Sequence, residues 1–177
     1  MNKHELLAAY LDTQFHFVLG GGPFVTVPVS VEQETADFLG YPRVISDSLP
    51  ALLGNEVAQV WVITAENPKS AGSSTREEND HRNDELRSAL ERHGLMWHAA
   101  RGQSPDGQHG EESFFLPSLH TENQTTLEML VKRLARQFEQ NAIFRFIDFE
   151  QILVGVLDPY FSGVRPYLIR TASDLGN

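Results

Sequence analysis

The segment from Val57 to Thr64, with the sequence VAQVWVIT, restricts the fold more than any other, because it is almost continuously apolar and rich in β-branched residues. A strand with one face in water alternates apolar and polar residues, whereas a strand covered on both faces does not. The segment therefore predicts a central strand with packed layers on both sides. Asn67-Pro68 follows and predicts a loop directly after the strand.

A long helix is predicted from Glu77 to His93, where apolar and amide residues recur on one face and Gly94 follows as a C-cap signal. Leu95 to Arg101 then predicts a second strand. Strand, helix and strand together predict a β-α-β unit, which is right-handed if its strands are parallel. The predicted fold is therefore α/β, a mixed sheet with one β-α-β crossover and helices packed on the sheet, with α+β as the alternative.

Further elements are predicted on both sides of this unit. Helices are expected at 5–11, 48–54 and 123–137, and strands at 15–19, 24–31, 113–116, 142–147 and 151–157. The first two of these strands flank a glycine-rich turn at 20–23 and predict a hairpin. No linker divides the chain, so we expect a single domain over 1–177, with 158–177 as an irregular, aromatic-rich tail.

Composition narrows the classes of partner. The formal net charge is −10 and the sequence has no basic stripe of the kind that follows a nucleic-acid backbone, so nucleic acid is not expected. The absence of cysteine excludes disulfides, thiolate metal ligands and a cysteine nucleophile. We find neither a leader-like apolar segment nor an apolar run near the roughly 20 residues of a membrane span, and therefore expect a cytoplasmic protein without membrane contact.

The order of the elements predicts that four separate segments meet at one edge of the sheet. They are residues 64–68, the start of helix 77–93, residues 111–113 and residues 140–141. In open α/β sheets, ligands bind outside the carboxyl ends of the strands. The sequence therefore predicts a small-molecule site at this edge.

The inward face of helix 77–93 adds a second indication, since it is apolar in the middle but begins with Asn79, Arg82 and Asn83. An inward arginine needs a partner, because an unpaired buried charge is costly, and a helix N-terminus favours anions. Two interpretations of Arg82 remain open. It contacts an anionic or nucleotide-like ligand, or it forms a structural ion pair with Glu111 or Glu112.

The predicted ligand-binding residues are Thr64, Asn67, Asn79, Arg82, Asn83, Glu112, Gln140 and Asn141. Glu111 and Glu112 are adjacent, so on a strand their side chains point to opposite faces and cannot act as a pair. Glu112 is the candidate general base if the protein is a hydrolase acting on such a ligand, and whether it is an enzyme stays open. The histidines are scattered, and we predict neither a metal site nor a cofactor.

A third interpretation is a non-catalytic interaction module. Phe161, Tyr167 and Leu168 of the tail would then form an exposed apolar patch that binds a partner or a second copy of the chain.

Several of these segments resemble one family. The motifs are Ile63-Thr64-Ala65-x-Asn67-Pro68, Asn79-x-x-Arg82-Asn83-x-x-Leu86-x-x-x-Leu90, Glu111-Glu112-Ser113 and Gln140-Asn141-Ala142-Ile143-Phe144, with Tyr10-x-x-Thr13 similar to the entry into an N-terminal strand. In order and spacing they are similar to the bacterial family called domain of unknown function 3293, over most of residues 10 to 147. The resemblance implies a shared fold and a shared set of residues, and it implies no reaction.

Overall fold

In a computed structural model, which describes residues 2–18, 24–29, 43–45, 48–70, 74–104, 106–166 and 168–171, the chain forms four α-helices and ten strands. The helices are α1 (Lys3–Asp12), α2 (Leu49–Leu53), α3 (Arg76–Arg92) and α4 (Gln124–Gln137). The strands are β1 (Gln14–Val18), β2 (Phe24–Val29), β3 (Arg43–Ile45), β4 (Val57–Ile63), β5 (His98–Gln103), β6 (Gly110–Leu119), β7 (Ala142–Ile147), β8 (Glu150–Gly155), β9 (Gly163–Pro166) and β10 (Leu168–Thr171). A short 3₁₀ turn covers Pro68–Ser70.

The strands lie in one sheet in the order β3-β10-β2-β1-β5-β6-β4-β7-β8-β9, and all the described pairs are antiparallel. The expected mixed sheet is therefore wrong, and the combination of helices with an antiparallel sheet is that of an α+β protein. β4 and β5 do run in the same direction, because each is antiparallel to β6, which lies between them. The expected β-α-β unit thus becomes a connection between strands that do not pair with each other.

The prediction of a central, doubly covered strand at 57–64 is confirmed. β4 lies between β6 and β7, and its side chains enter two separate cores. Val60 and Val62 join the core that α1 and α2 cover, which we call the α1 face. Trp61 and Ile63 join the core that α3 and α4 cover, which we call the α3 face.

The strand directions define one edge of the sheet, which we call the upper edge. β4 ends there at Ile63, opposite Phe114 of β6. β5 also ends there, at Gln103 opposite Gly110, and β7 begins there. The loop after β4 and the start of β6 therefore meet at this edge, as the order of elements predicted.

The tail differs from the expectation of an irregular segment. β9 pairs with β8, and β10 pairs with β2 and β3, so parts of 158–177 extend the sheet at two places. Such four-residue strands are too short for a periodic pattern to reveal. The turn at 20–23 and residues 71–73 lie outside the described residues. None of the helices that the structure describes has the length and apolar character needed to cross a bilayer.

Candidate functional site

Two buried asparagines of α3 hold the loop that follows β4. Asn83 accepts a hydrogen bond from the backbone N–H of Ala65 at 3.0 Å and donates to Oε1 of Glu66 at 2.8 Å. Asn79 accepts from the backbone N–H of Asn67 at 3.0 Å. Backbone donors beyond a strand's end need partners when they are buried. The polar start of the helix face therefore serves the adjoining loop.

Arg82 binds backbone carbonyls. Its Nε donates to the carbonyl of Ala65 at 2.7 Å, and its Nη2 donates to the carbonyl of Phe138 at 2.6 Å. Phe138 is the C-cap residue of α4, where helix carbonyls lack intrahelical partners and a positive charge is favourable. Arg82 thus ties the carboxyl end of α4 to the end of β4.

The expected ion pair between Arg82 and Glu111 or Glu112 is wrong, because both carboxylates have other partners. Glu111 accepts from Nδ2 of Asn67 at 2.7 Å, and Glu112 pairs with Arg101 of β5 at 2.8 Å. The two glutamates do point to opposite faces of β6, as adjacent residues of a strand must. Only Glu111 lies on the α1 face.

A buried carboxylate, Glu66, is the site residue that sequence reasoning missed. It is 7% exposed, and its Oε1 accepts from Asn83 and from the backbone N–H of Glu112 at 2.9 Å. Burial raises the pKa of Glu66 to about 7, the N–H of Glu112 opposes that rise, and the nearby Glu111 carboxylate adds to it. Its signal in the sequence is a charged residue between Ala65 and Asn67, directly after the most apolar strand.

Thr64 and Gln140 add further hydrogen bonds to the network around this loop. Thr64 donates through Oγ1 to the carbonyl of Glu112 at 2.7 Å. Gln140 is buried and donates to the carbonyl of Glu66 at 2.9 Å. The backbone carbonyl of Asn141 accepts from the backbone N–H of Val156, beyond the end of β8, at 2.8 Å.

A cavity of about 460 Å³ lies on the α1 face, below the upper edge. Its apolar wall comes from α1, β1, β4 and β7 and consists of Leu6, Ala9, Tyr10, Phe15, Val62, Ile63, Ala142, Ile143 and Phe144. Its polar rim includes Thr13, Thr64, Asn67, Gln103, Ser104, Gln108, His109, Glu111, Ser113 and Gln140. Of the residues predicted to bind a ligand, Thr64, Asn67 and Gln140 line this cavity. Asn79, Arg82, Asn83, Glu112 and Asn141 do not line it.

Among the described residues, Glu111 is the carboxylate that faces the cavity. Glu111 therefore replaces Glu112 as the candidate base. Its Oε1 is bound by Asn67, and burial raises the pKa of Glu111 above its usual value. Within the described residues its second oxygen, Oε2, has no hydrogen-bond partner. Glu112 is exposed and ion-paired, so its geometry suits solvent contact rather than catalysis.

The backbone is strained where the upper edge meets the cavity. Asn67, Lys69 and Glu139 have left-handed φ angles of 45°, 55° and 58°. The backbone N–H of Lys69 donates to the carbonyl of Glu139 at 2.7 Å, which holds two of the three together. Such conformations cost on the order of 1 kcal/mol each outside glycine and cluster at functional sites.

The N-terminus of α3 does not provide the expected anion site. Thr75 and Glu78 form a capping box, in which each side chain accepts from the other's backbone N–H. The first turn also carries Glu77, so the local charge is negative. Among the residues that the structure describes, no three His, Asp or Glu side chains converge as metal ligands would.

Phe161, one of the three residues expected in an exposed tail patch, is buried. Phe161 is 3% exposed and packs edge-to-face on Tyr10, with ring centroids 5.6 Å apart. Tyr167 lies outside the described residues, and the side chain of Leu168 is not described.

Residues 63–143 match the model of a family described as a protein of unknown function (DUF3293), so this segment of the chain is similar to that family. The resemblance inferred from the motifs is confirmed for this segment. It contains the loop after β4, all of α3, β5, β6 and α4, and Gln140, whereas α1 and β1 fall outside it. No curated protein and no solved structure matches the chain.

Proposed function

We propose that this protein binds a small organic molecule in the cavity on the α1 face. The observation that carries the proposal is the combination of a volume of about 460 Å³, an aromatic and aliphatic wall, and a rim to which the described residues contribute one carboxylate. Small-molecule sites are typically concavities of roughly 300–1,000 Å³ with a mostly apolar lining and a few polar groups that fix orientation. The strained residues Asn67 and Lys69 beside the rim support the same location.

An anionic or nucleotide-like ligand has less support than the sequence pattern suggested. That expectation rested on Arg82 and on the N-terminus of α3. Arg82 donates to two carbonyls away from the cavity, and the helix N-terminus is acidic. We therefore infer that the ligand is held by apolar contact and by hydrogen bonds at the rim.

The test fills the cavity from its exposed side. Ala9 lines the cavity and is itself exposed on α1, so Ala9→Phe occupies the space without displacing core residues. Ala8 is exposed on the same helix but does not line the cavity, which makes Ala8→Phe the matched control. Compounds from a panel of amines, carboxylates, nucleosides and neutral amides that shift the melting temperature should do so for wild type and Ala8→Phe but not for Ala9→Phe. If no compound distinguishes the two variants, the proposal is wrong.

A hydrolase is the second candidate, favoured by the position of Glu111. A general base needs an accessible oxygen and becomes a stronger base when its pKa is raised, and Glu111 is a half-buried carboxylate whose pKa burial raises. Turnover of p-nitrophenyl esters or anilides would be lost in Glu111→Gln and kept in Glu112→Gln. Equal turnover in the two variants would exclude Glu111 as the base.

A further inference from the structure

We propose that the cavity selects an organic cation, a protonated amine, amidine or guanidinium on an apolar body, with the Glu111 carboxylate as its counter-ion. This inference rests on the proposed function, because it names the class of ligand for the same cavity.

The charges around the cavity favour a cation. Among the described residues that line it there is no lysine or arginine, and Glu111 is the lining carboxylate. Glu66 lies behind the rim, close enough for its charge and that of Glu111 to act on each other. An anion would meet repulsion in a partly dry space, where charges are weakly screened, whereas a cation would be attracted.

Glu111 is oriented before any ligand arrives. Asn67 donates to its Oε1 at 2.7 Å, and the backbone of Asn67 is itself held by Asn79 at 3.0 Å. Oε2 remains for a ligand N–H, since no group among the described residues donates to it. Charge-assisted hydrogen bonds are about twice as strong as neutral ones, and a fixed acceptor loses little entropy when it binds.

The aromatic residues that line the cavity suit an apolar body. Phe15 and Phe144 pack edge-to-face with ring centroids 4.9 Å apart, and Tyr10 contacts Phe144 at 6.2 Å. All three rings line the cavity. Aromatic rings attract cations over their faces as well as alkyl or aryl groups, so the wall and the carboxylate favour the same ligand.

The test compares ligands of one shape and different charge. Hexylamine and benzylamine are titrated against wild type, Glu111→Gln and Glu112→Gln by calorimetry, beside hexanol, benzyl alcohol and hexanoate. We expect the amines to bind wild type and Glu112→Gln at least about tenfold more tightly than the alcohols or hexanoate. In Glu111→Gln the amines should lose that advantage, while the affinity of the alcohols stays unchanged.

Equal amine affinity in wild type and Glu111→Gln would overturn the inference. If hexanoate or the alcohols bind best and Ala9→Phe excludes them, the inference is wrong while the proposed function stands. If no compound distinguishes Ala9→Phe from Ala8→Phe, both fall. Should Glu111→Gln fail to fold, Glu111→Asp keeps the charge but withdraws it by one methylene, and an amine affinity unchanged in that variant would likewise overturn the inference.

Discussion

Nδ2 of Asn83 lies 2.8 Å from Oε1 of Glu66 inside the protein, and the two residues are 17 positions apart in the chain. The same oxygen accepts from the backbone N–H of Glu112, so one buried carboxylate joins α3, the loop after β4 and β6. A carboxylate with two donors on one oxygen can carry a proton on the other. Whether Glu66 carries this proton depends on pH, so the stability of the fold beside the cavity depends on pH as well.

The first prediction concerns pH. The pKa of Glu66 is raised from 4.5 to about 7, so the folded state holds a proton that the unfolded state releases. The resulting stability is fully present below pH 4.5 and is lost as the pH rises through about 7. The free energy of unfolding from urea titrations should fall by about 2.5 kcal/mol between pH 5 and pH 8, and Glu66→Gln should largely abolish this fall.

Glu111 shifts stability in the same direction, because its pKa is also raised by burial. Glu111→Gln is therefore the control that separates the two contributions. A slope that is as steep in Glu66→Gln as in wild type would show that another group is responsible.

The second prediction adds a charge beside Glu66. Asn83→Asp keeps the acceptor for Ala65 but replaces the donor to Glu66 with a second carboxylate, so two acids share one buried site. At pH 8 we expect a loss of about 3 kcal/mol or more in the free energy of unfolding, and a smaller loss at pH 5, where one carboxyl is protonated. Ser88→Asp, on the exposed side of the same helix, should change stability by less than about 0.5 kcal/mol at either pH. Equal losses at pH 5 and pH 8 would contradict this account.

The edge of the sheet at which the candidate site lies could be predicted from sequence because it depends on local patterns. The apolar run 57–63 and the helical spacing of α3 fix two long elements, and alternating directions then bring Thr64 and Gln140 to one edge. This result does not depend on whether neighbouring strands are parallel. The insertion of β6 between β4 and β5 follows from pairing over distance, which no local pattern contains.

The content of the site could not be predicted, since it depends on distances of a few ångströms. The sequence pattern is the same whether Arg82 contacts a ligand or a backbone carbonyl. The cavity is also closed by Tyr10 and Phe15, which are more than 40 residues from β4 in the chain. Sequence reasoning therefore chose the α3 side of the edge, whereas the cavity lies on the α1 face.

The third prediction concerns the strained residue Glu139, which has a φ of 58°. Glycine adopts this region without a steric cost, whereas alanine does not. Both Glu139→Gly and Glu139→Ala remove the exposed ion pair with Lys69, so their difference reports backbone strain, less the larger backbone entropy that glycine loses on folding. Glu139→Gly should be more stable than Glu139→Ala by about 1 kcal/mol in thermal unfolding. A more stable alanine variant would mean that the strain is relieved elsewhere.

The fourth prediction decides between the structural and the ligand-binding interpretation of Arg82. Arg82→Ala leaves the carbonyl of Ala65 without its charged donor and removes the cap on α4, although Gln140 still donates to Phe138 at 3.3 Å. We expect a loss of about 2–3 kcal/mol in the free energy of unfolding. The free energy of unfolding of Arg82→Lys should lie between those of wild type and Arg82→Ala, because a single ammonium does not reproduce the two-point contact of the guanidinium.

Arg87→Ala is the matched control, since Arg87 lies on the same helix and forms only an exposed pair with Asp84. Its removal should cost less than about 1 kcal/mol. Well below its melting temperature, Arg82→Ala should bind amines in the cavity as tightly as wild type does. The arginine side chain that it lacks contacts carbonyls and does not line the cavity. If Arg82→Ala kept its stability but lost ligand affinity, Arg82 would instead be assigned to the ligand. Removing a residue whose contacts are all structural cannot lower affinity without also lowering stability.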